Sequence, residues 1–213
     1  MSSEPAALLV FAKAPRPGRV KTRLARALGP EGASRLYAAF LEDVWARAGR
    51  VEGCVPELWA ASEQDAEGLA PRACRVQPDG DLGARMSGAL ADALARRPRA
   101  LLVGTDAPTL PPAFYDDARW ALDTHDVVFG PSADGGFYLV GGRGGGVVEF
   151  DPAARWSTRH ALEDASRGLG ARSVALLRPW YDVDTPRELQ LLRTHLALAP
   201  SAAPRTARAL ATF

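Results

Sequence analysis

The sequence predicts an α/β protein, a three-layer sandwich in which helices cover both faces of a mostly parallel, mixed sheet. Short aliphatic runs alternate with helical stretches through most of the 213 residues, which is the pattern of that architecture. The runs Ala100–Val103 and Val127–Phe129 are apolar throughout, as expected of strands buried on both faces. This length suits one core, so we expect a single domain over residues 1–198 and a mobile tail over residues 199–213.

Composition excludes several classes of protein. Hydrophobic residues make up 47% of the chain, charged residues make up 24%, and the net charge is +1. These values predict a soluble globular protein without a broad nucleic-acid-binding surface. The first apolar run, Ala6–Phe11, is too short for a membrane span or a signal peptide, so we expect a cytoplasmic protein with no membrane partner. Cys54 and Cys74 lack the spacing of a zinc site or a disulfide framework. A homodimer is left open.

The first half of the chain predicts a strand, a loop and then alternating helices and strands. After the strand Leu8–Phe11, a short helix over Val20–Leu28 ends at Gly29 and Pro30. Apolar residues then recur with helical spacing across Glu31–Ala48. The following elements are a strand at Glu57–Ala61, a polar helix at Glu63–Leu69, a strand at Ala73–Val76, and a turn and helix opening at Gln77–Met86.

The second half continues this alternation. A helix at Pro112–Leu122 separates the two aliphatic strands, and a short turn leads to a strand at Phe137–Val140, which should run antiparallel to its neighbour. A glycine-rich turn occupies Arg143–Gly146. The remaining elements are a helix capped by Ser157 that ends near Arg167, a strand at Ser173–Leu177, and a final helix through Leu196 that begins with Thr185, Pro186 and Glu188 as N-cap, first-turn proline and capping-box residue.

The loop after the first strand is basic. No acidic residue occurs between residues 5 and 30, and the loop carries Lys13, Arg16, Arg19, Lys21 and Arg23. Ligands of open α/β sheets bind outside the carboxyl ends of the strands, so the loop predicts an anion site. A solvated surface loop would explain the same residues taken alone.

Three aspartates follow later strands. Asp106 comes shortly after the strand Ala100–Val103, and Asp182 and Asp184 follow the last strand. Carboxylates that face a basic loop across a cleft suit a phosphorylated ligand with bound Mg²⁺ (or Mn²⁺), because Mg²⁺ takes one or two carboxylates together with phosphate oxygens. Asp106 could instead cap the helix that follows it, and Asp184 could accept hydrogen bonds from the amides of Thr185 and its neighbours.

The segment Asp134–Gly136 joins two predicted strands. Glycine supplies positive φ, so this DGG sequence is a turn signal by itself. The functional alternative is that Gly135 and Gly136 allow backbone amides to approach an acceptor substrate, with Asp134 beside it.

Together these motifs resemble those of the GT-A-type nucleotide-diphospho-sugar transferase superfamily. The most similar branch is a group of small bacterial proteins named glycosyltransferases, itself similar to 2-phospholactate guanylyltransferase and more distantly to molybdenum cofactor guanylyltransferase. The resemblance extends from Leu8 to Leu196 and implies a Rossmann-like GT-A fold and a nucleotide-dependent transferase. The similar segments are FAKAPRPGRVKTRLA, QPDGDLGARM, GTDAPTL, VVFGPSADGGFYLVG, WST and WYDVDTPREL.

The resemblance also implies roles for individual residues. Nucleotide binding would involve Phe11, Ala12, Lys13, Lys21, Arg23, Gly83, Arg85 and Asp106. The metal ligands would be Asp106 together with Asp182 or Asp184. The acceptor would contact Asp134, Gly135, Gly136, Trp156 and Ser157.

Three functions fit this set of residues. In Mg²⁺-dependent nucleotidyl transfer, a small anionic acceptor attacks the α-phosphorus of a nucleoside triphosphate and pyrophosphate leaves. Lys21 and Arg23 would then stabilise the pyrophosphate and Asp134 would orient the acceptor, which makes these three the expected catalytic residues. The second function is glycosyl transfer from a nucleotide sugar, with Asp134 as general base. The third is nucleotide binding without catalysis.

Overall fold

Seven strands and seven α-helices are formed by the part of the chain that the structure describes, residues 4–144 and 148–213 of a computed structural model. In chain order they are β1 (Ala6–Ala12), α1 (Ala25–Ala48), β2 (Cys54–Ala60), α2 (Glu63–Gly68), β3 (Cys74–Val76), α3 (Leu82–Leu94), β4 (Arg99–Val103), α4 (Pro112–Ala121), β5 (Val127–Pro131), β6 (Phe137–Arg143), α5 (Ala161–Arg167), β7 (Val174–Leu176), α6 (Pro186–Leu198) and α7 (Pro204–Leu210), with a 3-10 turn at Pro200–Ala202. The turn expected at Arg143–Gly146 lies partly outside the described residues, which do not include Gly145 and Gly146.

The strands form one mixed sheet in the order β3-β2-β1-β4-β6-β5-β7. Strands β1 to β4 pair in parallel, and β7 is parallel to β5. Strand β6 is antiparallel to both of its neighbours, β4 and β5. The predicted fold class, including the antiparallel strand after the DGG turn, is therefore confirmed.

Helices cover both faces of the sheet, as the alternation of side chains along β1 shows. Leu8 and Val10 pack in one apolar cluster with residues of α1 and α4, whereas Ala7 and Leu9 pack in a second cluster with residues of α3. Successive residues of a strand point to opposite faces, so the two clusters are the two interfaces of a three-layer sandwich. Among the described helices, none combines the length and the apolar composition needed to cross a membrane.

Local sequence signals mark two of the helix boundaries correctly and one wrongly. Helix α1 is interrupted at Gly29, which has φ 71° and ψ 162°, where an end was predicted. Thr185 and Glu188 form the predicted capping box at the start of α6. The prediction that Ser157 caps α5 is wrong, because the N-cap is His160 and Ser157 has φ 60°.

The segment after α6 is more regular than the expected mobile tail. Helix α7 packs against α1, with Ala203 and Leu210 buried in one cluster with Leu36 and Phe40. The buried carboxylate of Asp43 in α1 accepts hydrogen bonds from the first-turn amides of α7, those of residues 205 and 206. Composition did not reveal this helix, because its cap comes from a residue more than 160 positions away.

Candidate functional site

The sheet order creates a switch point between β1 and β4. These strands are neighbours, and the chain leaves β1 toward β2 on one side and leaves β4 toward β5 and β6 on the other. Ligands of open α/β sheets bind in the crevice outside the carboxyl ends of the strands at such a point. The loops that follow β1 and β4 carry the basic segment and Asp106 respectively.

The loop after β7 is tied to the same place by backbone hydrogen bonds. The amide of Val183 donates to the carbonyl oxygen of Asp106 at 2.8 Å. The amide of Trp180 donates to the carbonyl oxygen of Pro131, and that of Ala133 to the carbonyl oxygen of Trp180, both at 3.0 Å. The aspartates on either side of Val183 are therefore held beside the β4 loop.

Lys21 lies between two of the predicted aspartates. Its side chain is 4% exposed, and its Nζ lies 2.6 Å from Asp106 Oδ1 and 2.6 Å from Asp184 Oδ1. Burial alone would lower the pKa of Lys21, but the two carboxylates outweigh it and raise the pKa above its ordinary value. The three loops thus meet in an ion-paired cluster of one ammonium and two carboxylates.

Two further aspartates, Asp182 and Asp134, lie near this cluster. Burial raises the pKa of Asp182 to about 7, and the charges of Asp106, Asp134 and Asp184 raise it in the same direction while Lys21 opposes them. Lys21 contacts two of these aspartates, Asp106 and Asp184, so one ammonium faces two carboxylates, a balance that favours binding of a further cation.

Tyr37 connects the first loop with the β4 loop, and sequence reasoning missed it. Its buried hydroxyl accepts a hydrogen bond from the amide of Lys13 at 2.9 Å and lies 3.2 Å from Thr105 Oγ1. Burial raises the pKa of the phenol, so it stays neutral. By its spacing Tyr37 belongs to the apolar face of α1. A hydroxyl on that face was the only feature of the sequence that indicated a role beyond packing.

Two predicted site residues have unusual backbone conformations. Lys21 has φ 46° and Ser157 has φ 60°, and among the described residues they are the two non-glycine residues with positive φ. Such conformations cost about 1–3 kcal/mol and concentrate at functional sites. Both lie in loops that sequence reasoning had selected for ligand binding.

The glycines of the DGG turn serve the protein's own packing. Gly135 has φ 91°, and a Cβ on it would lie 2.1 Å from the carbonyl oxygen of Arg159. The amide of Gly135 donates to the carbonyl oxygen of Ser132, and the amide of Gly136 donates to Asp134 Oδ1. Both amides are therefore hydrogen-bonded within the turn, and Asp134 is exposed.

Gly83, predicted to bind nucleotide, lies against Trp156, predicted to contact the acceptor. A Cβ on Gly83 would lie 2.7 Å from Trp156 Cζ2. The Trp156 ring also packs edge-on against Phe137 and Phe150, with centroids 6.4 and 5.6 Å apart. A cavity of about 560 Å³ adjoins Gly83, between the start of α3 and residues 149–152.

The other predicted nucleotide-binding residues have varied surroundings. Lys13 and Arg23 are exposed, and Ala12 is buried at the end of β1. Phe11 lies beside Trp59, with ring centroids 6.5 Å apart. The guanidinium of Arg85 donates to the carbonyl oxygens of residues 80 and 61 at 2.9 and 3.0 Å, so it joins the turn before α3 to the end of β2.

The cluster could hold a hard divalent cation only if a bound molecule supplied further oxygen ligands. No group of three or more His, Cys, Asp or Glu side chains in residues 4–144 and 148–213 is arranged to hold a metal by itself. One oxygen each from Asp106 and Asp184 converges on the Lys21 ammonium. Two carboxylates are what Mg²⁺ uses when phosphate oxygens and water complete its coordination.

Fold and site together define the class of protein: an α/β domain with the fold of the nucleotide-diphospho-sugar transferases and a cation–carboxylate cluster at its switch point. Residues 44–158 match the family model described as "Uncharacterized protein conserved in bacteria (DUF2064)". The match covers more than half of the chain, which belongs to this family. No curated protein matches the sequence.

Several solved structures share this fold. A candidate nucleotide-diphospho-sugar transferase from Desulfovibrio desulfuricans G20 is 28% identical, with a TM-score of 0.83 over 100% of this chain and 95% of its own. CMP:2-keto-3-deoxy-manno-octonic acid synthetase, solved with CTP, is 11% identical, with a TM-score of 0.56 over 92% and 99% of the two chains. The 4-diphosphocytidyl-2C-methyl-D-erythritol synthase of Anaerococcus prevotii DSM 20548 is 9% identical, with a TM-score of 0.55 over 92% and 97%.

These similarities confirm the superfamily and the fold that the motifs predicted. The expected class, a nucleotide-dependent transferase, is the class of the solved structures. At 11% and 9% identity the two synthases show the fold alone.

Proposed function

We propose that this protein is a divalent-metal-dependent nucleotidyltransferase. It joins a nucleoside monophosphate from a nucleoside triphosphate to a small anionic acceptor and releases pyrophosphate. The observation that carries the proposal is the contact of Lys21 with Asp106 and Asp184, 2.6 Å each, at the switch point of the sheet. A fold shared with a synthetase solved in complex with CTP supports a nucleotide as the ligand.

In this proposal the acidic side of the cluster holds the metal. Asp106 and Asp184 are the ligands we favour, because their oxygens already converge on one cation, and Asp182 stands beside them. Mg²⁺ or Mn²⁺, when bound, would neutralise charge on the triphosphate.

The basic side of the cluster binds phosphate. Lys21 would contact the triphosphate, and Lys13 and Arg23, both exposed on the same loop, would extend this positive region. Phosphoryl and nucleotidyl transfers depend on positioning and charge neutralisation rather than on a protein nucleophile, so no covalent intermediate is required.

Of the remaining residues, some would contact the nucleobase and others the acceptor. The nucleobase would lie near Gly83 and Arg85, and the cavity of about 560 Å³ that Gly83 lines has room for a ring system. The acceptor would lie near Asp134, whose exposed carboxylate is fixed by the hydroxyl of Ser132 and the amide of Gly136. Trp156 and Ser157 would form the outer wall of this acceptor region.

The test is release of pyrophosphate. The four common nucleoside triphosphates are incubated with the protein, Mg²⁺ and a panel of small phosphates, phosphonates and carboxylates. Pyrophosphate formed in step with loss of triphosphate supports the proposal. No turnover with any combination, while nucleotides still raise the melting temperature, would instead indicate nucleotide binding without catalysis.

Glycosyl transfer is the second candidate, favoured by the 28% identical nucleotide-diphospho-sugar transferase candidate. Asp134 would then act as general base on an acceptor hydroxyl. The product separates the two functions, because a nucleotide-sugar donor releases a nucleoside diphosphate (or monophosphate) and cannot release pyrophosphate.

A further inference from the structure

The Lys21 ammonium occupies the point on which the two carboxylates of the proposed metal site converge. The Lys21 side chain is 4% exposed, whereas those of Asp106 and Asp184 are 44% and 40% exposed. A ligand from solvent therefore reaches the carboxylates directly, but the ammonium has to move before another cation can take its position between them.

Lys21 and a metal ion would compete for the same two carboxylates. Asp106 and Asp184 both pair with Lys21, each at 2.6 Å from its Nζ. A metal ion that arrived alone would remove both partners of a buried ammonium, and a buried charge without a partner is strongly unfavourable. If a nucleotide binds together with the metal, its phosphate oxygens can replace the carboxylates as partners of the ammonium.

We infer that Lys21 blocks metal binding in the nucleotide-free protein, so that the metal enters only together with the phosphates of its nucleotide. This inference rests on the proposed function. A ligand shifts such an equilibrium by as much as its affinities for the two states differ, and here the nucleotide favours the state in which Lys21 has left the carboxylates. Lys21 thus couples metal binding to nucleotide binding.

The test measures Mn²⁺ binding by electron paramagnetic resonance, without nucleotide, at constant ionic strength. The variants are Lys21→Met, Lys21→Gln and, as a matched control, Arg26→Met, which removes an exposed cation from the same basic segment. Both Lys21 variants should bind Mn²⁺ about tenfold more tightly than the wild type or more, since a competent state populated about 10% of the time weakens apparent affinity about tenfold. Adding Asp106→Asn to Lys21→Met should abolish the gain, and Arg26→Met should bind like the wild type.

Each result decides the inference. Equal Mn²⁺ affinity in the wild type and in folded Lys21 variants overturns it, as does a gain of the same size in Arg26→Met. If Lys21→Met does not fold, Lys21→Gln, which keeps a hydrogen-bond donor between the carboxylates, gives the same comparison. Absence of pyrophosphate release by the wild type would contradict the proposed function and not this inference, because Mn²⁺ binding is measured without turnover.

Discussion

Lys21 and Asp184 are separated by 163 positions in the sequence, yet Lys21 Nζ donates a 2.6 Å hydrogen bond to Asp184 Oδ1. The contact joins the loop after β1 to the loop after β7. It depends on the sheet order, which places the carboxyl ends of β1 and β4 side by side, and on the hydrogen bond from Val183 to Asp106. The site is therefore a property of the whole fold.

Replacement of Lys21 by alanine should greatly reduce turnover. Loss of a cation aimed at developing phosphate charge should cost about 3–4 kcal/mol in the barrier, a decrease in kcat of about 10² to 10³. The fold should persist, because the two carboxylates left behind are 44% and 40% exposed. Steady-state pyrophosphate release measures the effect, with Arg26→Ala as the control for loss of a nearby exposed charge. Unchanged kcat in Lys21→Ala would remove this residue from the mechanism.

Tyr37→Phe should weaken both stability and substrate binding. The variant loses the hydroxyl that accepts from the Lys13 amide and contacts Thr105, and the amide is left without its partner. We expect a loss of about 1–2 kcal/mol in the free energy of unfolding. Because these contacts join two loops of the site, KM for the nucleotide should rise. Denaturant unfolding and steady-state kinetics measure the two effects, and a loss of stability with KM unchanged would make Tyr37 a core residue alone.

Much of the fold could be predicted because its signals are local. The break of α1 at Gly29 and the capping box of Thr185 and Glu188 depend on a few adjacent residues. The strand order could not be predicted, because it is set by packing between distant segments. The Ser157 cap failed for a local reason, since this residue has a positive φ that an N-cap does not have.

The sequence motifs selected residues of the candidate site, but they did not predict which of these residues contact each other. The motifs selected Lys21, Asp106 and Asp184, but they associated Lys21 with phosphate and did not indicate that it pairs with the carboxylates. They also assigned Gly135 to the acceptor and did not indicate that the carbonyl oxygen of Arg159 packs against it. Such details depend on how two loops pack, which no single motif contains.

Gly135→Ala should strongly destabilise the protein. The new Cβ would lie 2.1 Å from the carbonyl oxygen of Arg159, and the backbone has φ 91°. Gly18→Ala is a matched control, because Gly18 also has a positive φ of 75° but nothing lies within 4 Å of its Cβ position. Strain alone should cost about 1 kcal/mol at Gly18, and the added clash should raise the cost at Gly135 to about 3 kcal/mol. Equal losses in denaturant unfolding would contradict the packing of Arg159 on the turn.

Asp164→Asn should reduce stability at neutral pH and much less at acidic pH. The buried carboxylate accepts hydrogen bonds from Nε and Nη2 of Arg155 and from Nη1 of Arg167, at 2.7–2.9 Å. Hydrogen bonds from Arg155 hold the pKa of Asp164 well below its usual range. A depressed pKa contributes stability above the unfolded value, about 3.9, and that contribution is lost as the pH falls below it. Melting temperatures of the wild type and the variant should therefore differ at pH 7 and converge toward pH 2; a constant difference would contradict this role.

Asp43→Ala should release the C-terminal segment from the domain. The carboxylate is 1% exposed and accepts hydrogen bonds from the amides of Arg205 and Thr206, at 3.1 and 2.8 Å. Without it the amides of Arg205 and of the buried Thr206 lose their partner, so we expect a loss of about 2 kcal/mol in the free energy of unfolding.

The release of α7 should also be visible by limited proteolysis, with cleavage after Arg205 and Arg208 becoming faster than in the wild type. Asp43→Asn is the control, because it keeps one acceptor oxygen and should lie between the wild type and Asp43→Ala. Arg47, four residues along α1, donates to the carbonyl oxygens of Pro108 and Ala202, and so connects this segment to the loop of Asp106. If cleavage of the wild type were already as fast as that of Asp43→Ala, the segment would be the mobile tail that its composition suggests, and its packing on α1 would not stabilise the site.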